Sequence, residues 1–195
     1  RAGNGSGVII ESQGHILTNA HVVAGGSDFL VTVGNRDYPA TIVGTDPSSD
    51  VAVLKIEATG LVPIDIGDSG AVKVGQWVMA VGSPFGLEKS VSTGIVSALK
   101  RSETMAMETG SSVYSNMIQV DAAINPGNSG GALVDAQGRL IGMPTLIQST
   151  SGQSAGVGFA IPANYAMEIA SQLIDTGTAI HPFLGVSVQT VDASV

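Results

Sequence analysis

The chain has 195 residues, 44% hydrophobic and 12% charged, which is apolar material for a core in one domain or two small lobes. Sixteen acidic residues against eight Lys and Arg give a formal net charge of −8, with no basic cluster to neutralise phosphates, so the composition argues against nucleic acid as a partner. There is no cysteine, which rules out a disulfide framework and thiolate metal sites while leaving the compartment open, and no apolar run approaches the ~18 residues of a membrane span.

From the N-terminus, short apolar and β-branched segments recur between Gly, Pro, Asn, Asp and Ser, which predicts an all-β chain. The first set covers residues 8–10, 15–18, 29–33, 41–43, 51–56 and 78–81. The second covers 94–99, 117–120, 132–134, 140–143 and 157–161. Two such groups suit two small barrels. Residues 101–115 (RSETMAMETGSSVYS) show no sustained period and few large apolar residues, and are expected to form a long surface loop. A second polar, flexible stretch is expected at 148–156. After Pro162, apolar residues fall at Tyr165, Ala166, Ile169, Ala170, Leu173 and Ile174, and Gly177 follows as a cap, so one C-terminal amphipathic helix is predicted. The chain opens on Arg1 without a start Met or a signal-like apolar run, and is read as a piece of a longer protein.

Three short stretches carry candidate chemistry. Gly127-Asn128-Ser129-Gly130-Gly131 sets a serine among glycines just before an apolar strand. Such a turn exposes a hydroxyl and lets the amides of Gly127 and Ser129 converge on a developing oxyanion; the plainer reading is a glycine-rich hairpin loop. His21 sits at a strand-to-turn junction in Thr18-Asn19-Ala20-His21-Val22-Val23, and the chain has only two other histidines, His15 and His181, which are expected to be structural. A lone histidine in this setting is also commonly structural. Asp50 opens the apolar segment Val51-Ala52-Val53-Leu54, where burial suits a carboxylate that orients an imidazole, whereas Asp46, followed by Pro47, fits a turn. Together the three fall in the chain order His, Asp, Ser of the chymotrypsin arrangement. An α/β-hydrolase would place acid and histidine after the serine, and three scattered histidines without H-E-x-x-H make no zinc site.

On these residues the sequence resembles the HtrA/Deg serine proteases. The stretches that carry the likeness are GSGVII at 5–10, ILTNAHVV at 16–23, DPSSDVAVLKI at 46–56, GSPFGL at 82–87, QVDAAINPGNSGGAL at 119–133 and GVGFAIP at 156–162. The resemblance implies a chymotrypsin/trypsin-like double six-stranded β-barrel with a C-terminal helix, in a protease domain over 1–180. The first barrel would occupy roughly 1–80, the second roughly 81–162 and the helix roughly 163–176. Residues 181–195 would begin a linker and a truncated PDZ domain. It further implies His21 as general base, Asp50 as its orienter, Ser129 as nucleophile, and an oxyanion hole at Gly127, Asn128 and Ser129. Ala123, Ile124, Asn125, Thr145, Leu146 and Ile147 would border the substrate. With no acid among the pocket residues Ala123 and Ile124, small or medium aliphatic side chains are expected before the cleaved bond.

The resemblance assigns 101–115 to a regulatory loop that senses an activating peptide or PDZ domain, 122–128 to an activation loop and 148–156 to a specificity loop. It implies unfolded or damaged polypeptides as substrates, a homotrimer, no cofactor, and a place in the periplasm or outside the cell, with a membrane anchor upstream. A peptide-binding chaperone or scaffold with the same fold is the competing expectation. One departure stands out: where the family commonly reads Gly-Ile-Asn-Thr, this chain has Gly142-Met143-Pro144-Thr145. Proline removes a backbone donor, so the strand wall beside the substrate is expected to change, while Thr145 is expected to reach the Asp50 carboxylate.

Overall fold

The computed structural model describes residues 4–83, 90–107, 110–125, 127–147, 156–182 and 185, with the backbone alone at 103–107, 110–114 and 146–147. The stretch expected to form a specificity loop, most of GSPFGL and most of the segment after 182 lie outside the described residues. The elements in chain order are β1 (Val8–Ile9), β2 (His15–Thr18), α1 (Ala20–Val23), β3 (Phe29–Val33), β4 (Arg36–Asp46), β5 (Val51–Ile56), a 3₁₀ turn (Ser69–Ala71), β6 (Trp77–Gly82), β7 (Ser90–Met107), β8 (Gly110–Val120), β9 (Ala132–Val134), β10 (Leu140–Ile147), β11 (Gly158–Pro162) and α2 (Ala163–Thr176).

The strands form two units. The first is a five-stranded sheet in the order β1-β2-β5-β4-β3, a half-barrel; the second is a closed six-stranded barrel in the order β10-β11-β8-β7-β6-β9. All strand pairs are antiparallel.

The long apolar run of β5 has a direct packing cause. Val51 and Val53 face the core shared with the barrel, among Leu17, Met117 and Val134. Ala52, Leu54 and Ile56 face the opposite side with Ile16, Ala20 and Val23. Both faces of β5 are therefore covered, which replaces the usual polar alternation with a continuous hydrophobic sequence. β2 shows the same division in two adjacent residues, since Ile16 and Leu17 point into different cores. A third cluster, including Val78, Val96, Val120, Leu133 and Ile141, fills the barrel.

α2 packs on β4 and β5 of the half-barrel and on β10 and β11 of the barrel, so it spans both units. Its buried residues Ala166, Ile169, Ala170 and Leu173 follow the 3.6-residue period read from the sequence. The helix stops at Gly177, whose N–H donates to the Leu173 carbonyl at 2.9 Å.

The loop expected over 101–115 is instead a ribbon. β7 and β8 continue their pairing past the barrel, with Arg101 opposite Met117, Glu103 opposite Tyr114, Thr104 opposite Val113 and Met107 opposite Gly110. The pairing is interrupted by register shifts between Val96 and Ala98, Ala98 and Arg101, and Arg101 and Glu103. The strands are defined by backbone pairing, of which a sequence without sustained hydrophobic period carries no trace.

Leu173 is fully buried beneath α2. Leu173→Ala is expected to lower the unfolding free energy by about 2–5 kcal/mol, measured by urea denaturation. A loss well below 1 kcal/mol would show that the helix does not close the two cores.

Candidate active site

Asp50, His21 and Ser129 come from the turn before β5, from α1 and from the loop before β9, which meet between the two units. Asp46 closes the turn that leads to the acid: its carboxylate accepts the N–H of Ser48 at 3.3 Å and of Ser49 at 3.2 Å, and the Ser49 hydroxyl. Asp50 then adopts φ +57°, in the left-handed region that Asp tolerates better than most residues. Its carbonyl is taken by the amide of Ala20 at 3.2 Å and by Asn19 Nδ2 at 3.0 Å. Both ends of Asp50 are thus tied to the start of α1, where His21 sits one residue further on.

The Asp50 side chain is 2% exposed. Its carboxylate lies against His21 Nδ1, 2.9 Å from Oδ1 and 2.8 Å from Oδ2, and Oδ1 also accepts the His21 backbone N–H at 3.0 Å. Oδ2 accepts the hydroxyl of Thr145, buried on β10. A carboxylate only accepts, so Nδ1 carries the imidazole proton and Nε2 keeps its lone pair. The His21 side chain is 40% exposed, in contrast to the buried carboxylate that it meets.

Thr145 reaches Asp50 because of a bulge. The β10–β11 register pairs Pro144 with Ala160 and Leu146 with Phe159, so Thr145 is the extra residue on β10. Pro144 does not break this ladder. Its carbonyl accepts the N–H of Gly130 at 3.0 Å. The amide and carbonyl of one strand residue project to the same side, so the donor that proline lacks faces the serine loop and not β11.

The serine loop runs directly into β9. Ser129 Oγ donates to the Thr145 carbonyl at 3.4 Å, a long contact, and no hydrogen bond joins it to His21 among the described residues. The loop is locked from several sides: Asn128 N–H to the Asn125 carbonyl at 3.0 Å, Gly131 N–H to the Asn128 carbonyl at 2.9 Å, and Ser6 N–H to the Ser129 carbonyl at 3.0 Å. Gly130, at φ +79°, has no room for a side chain, since a Cβ there would overlap Thr18 Oγ1 and the Ser6 carbonyl. No backbone acceptor among the described residues takes the N–H of Gly127 or Ser129, which leaves the two amides open.

Of the residues expected to border a substrate, Ala123 is exposed, Asn125 half-buried, and Ile124 buried in the barrel core. Ile124 stands so close to Gly158 that a Cβ there would lie 2.5 Å from Ile124 Cγ1. Leu146 and Ile147 form the last turn-free residues of β10. The other histidines pair elsewhere, His15 with Glu11 at 2.7 Å and His181 with Asp46 at 2.8 Å. The sequence reading gave no role to Ser6, Thr18 or Asn19, which hold this seam together; the only signal was their position inside the GSGVII and ILTNAHVV stretches.

A half-barrel and a barrel that meet at an acid, an imidazole and a serine define a trypsin-like peptidase domain. The sequence model described as "Trypsin-like peptidase domain" matches residues 5–143, and the chain belongs to that family. Within it, the similar proteins are of the HtrA/Deg type. The chain is 48% identical, over 96% of its length, to a probable periplasmic serine endoprotease DegP-like from Halomonas elongata, and 48% identical, over 94%, to protease Do-like 1, chloroplastic, from Arabidopsis thaliana. It spans 38% and 42% of those relatives, less than half of each. Among solved structures, "HtrA-type protease AlgW with decapeptide" is 45% identical with a TM-score of 0.87, covering 96% of this chain and 57% of that one. "HtrA-type protease AlgW with tripeptide" is 44% identical with a TM-score of 0.88, covering 97% and 62%.

Thr145→Val keeps the shape of the side chain and removes one donor from a buried carboxylate. It is expected to cost about 1–3 kcal/mol of stability, measured as a shift of the urea midpoint at unchanged slope. An unchanged midpoint would show that the hydroxyl is dispensable to Asp50.

Proposed function

We propose that the chain is the proteolytic domain of an HtrA/Deg-type serine endopeptidase that works through an acyl-enzyme. The observation that carries this reading is the Asp50 carboxylate, which holds the proton on His21 Nδ1 and leaves Nε2 as a base beside the serine loop.

Ser129 Oγ turns from the Thr145 carbonyl toward His21 Nε2, gives up its proton there and attacks the peptide carbonyl. Asp50 stabilises the imidazolium that forms, and the amides of Gly127 and Ser129 receive the oxyanion. The C–N bond breaks as His21 returns the proton to the leaving amine. Water, deprotonated by the same nitrogen, then hydrolyses the ester. A positioned acid–base group of this kind contributes roughly 10²–10⁴ in rate.

Substrate class follows from the surroundings. Ala123 and Ile124 precede the serine loop and carry no acid to pair with Lys or Arg, which favours small or medium aliphatic side chains before the cleaved bond. An extended segment of an unfolded polypeptide suits the end of β10 as an added strand. The names of the relatives support a periplasmic setting, and the neighbours solved with a decapeptide and a tripeptide support peptide binding; control by an activating peptide belongs to the same reading. A role in protein quality control, a PDZ domain in the longer protein, membrane anchoring and a homotrimer belong to the same reading.

A fluorophosphonate probe is expected to give a single adduct on Ser129 by intact mass and peptide mapping, absent in Ser129→Ala and His21→Ala. Asp50→Asn is expected to lower kcat on unfolded casein by on the order of 10⁴ with little change in KM. A folded wild-type protein that forms no adduct and cleaves nothing would overturn the proposal.

A further inference from the structure

Ser6 is half-buried at the point where the half-barrel, the barrel and the serine loop meet, and its three polar groups make four hydrogen bonds. Its carbonyl accepts the Thr18 hydroxyl at 2.7 Å, at the end of β2. Its N–H donates to the Ser129 carbonyl at 3.0 Å. Its hydroxyl accepts the N–H of Ser83, just past β6, at 2.8 Å and donates to the Gly127 carbonyl at 2.5 Å. A hydroxyl has one proton; with the Ser83 amide on a lone pair, that proton is directed at Gly127.

The peptide unit between Gly127 and Asn128 is consequently gripped from both sides. Its carbonyl is held by Ser6 and its N–H by the Asn125 carbonyl at 3.0 Å. In a trans peptide these two groups point in opposite directions, so the pair of bonds fixes the plane. This matters because Gly127, at φ +104°, lacks the Cβ that would otherwise restrict the rotation. Flipping that plane would reorient the loop between two amides proposed to receive the oxyanion, and would bring a carbonyl dipole where donors are needed.

We propose that Ser6 is a positioning residue for the oxyanion hole: its hydroxyl, oriented by the Ser83 amide, holds the carbonyl of Gly127 while its backbone holds that of Ser129. The inference rests on the serine endopeptidase reading above. It assigns the side chain an effect on the transition state and not on substrate affinity, because Ser6 touches the loop from behind through carbonyls and offers nothing to a ground-state peptide.

Ser6→Ala deletes one oxygen and keeps both backbone bonds. On a chromogenic peptide with valine before the scissile bond, kcat is expected to fall about 10- to 100-fold, a fraction of the 10²–10³ that loss of a whole oxyanion donor costs, with KM within about twofold. Affinity for a peptidyl aldehyde, whose tetrahedral adduct places an oxyanion in the hole, is expected to fall in the same proportion. Affinity for an uncleaved peptide, measured in a Ser129→Ala background, is expected to stay the same. Should Ser6→Ala unfold, Ser6→Cys carries the test, since its somewhat larger thiol leaves no cavity and is a weaker donor, and kcat and aldehyde affinity must again fall together. An unchanged kcat, or a loss confined to KM, overturns the role of Ser6 while leaving the endopeptidase intact. A wild type that is folded yet inert to the fluorophosphonate overturns both.

Discussion

The geometry at the seam depends on one buried carboxylate. Asp50 belongs to the half-barrel, yet one of its three donors, Thr145, comes from the barrel, and the other two come from His21. Removing such a group from water is costly unless its lone pairs are filled, and here donors from both the half-barrel and the barrel fill them. The side chain that orients the imidazole is also the polar joint between the lobes. The left-handed backbone of Asp50 is held in place from the same quarter, through a carbonyl bound by Asn19 and Ala20. Acid and base are thereby fixed as a single piece of structure before any substrate arrives.

The serine loop is organised differently. Its shape is set by backbone bonds to Ser6, Asn125 and Pro144, by the buried Asn128 side chain on the Ala123 carbonyl, and by the close approach of neighbouring chain at Gly130 and Gly131. Ser129 itself is only loosely engaged, at 3.4 Å from the Thr145 carbonyl. Asp50 and His21 are thus held by side-chain and backbone bonds together, whereas the serine loop is defined by its backbone, where peptide rotations cost little at glycine.

What was legible in the sequence follows from this division. The short strands, α2 and its glycine stop, and the apolar run of β5 each leave a pattern of side chains, because burial selects them. The GNSGG stretch and the Asp50 segment stood out since exposed serine among glycines and an acid ahead of a buried strand are both unusual. The ribbon of β7 and β8 was read as a loop because its main-chain pairing runs through a sequence with no sustained apolar period. The half-barrel shape of the first unit, the bulge at Thr145 and the four-way use of Ser6 are matters of register and backbone direction, to which residue type is nearly blind. Asp46, dismissed as a turn residue, does close the turn; its second partner, His181, lies 135 positions away and could not be paired with it from the sequence.

The crowding around the serine also bounds what protein engineering can do with this cleft. Gly82, Gly130 and Gly131 press against Asn128, Thr18 and the Val81 carbonyl with no space for a single added carbon. A mutant library that randomises these positions spends nearly all of its members on chains that cannot assemble. Ala123, a few residues upstream, is exposed, so side-chain diversity introduced there meets no such crowding.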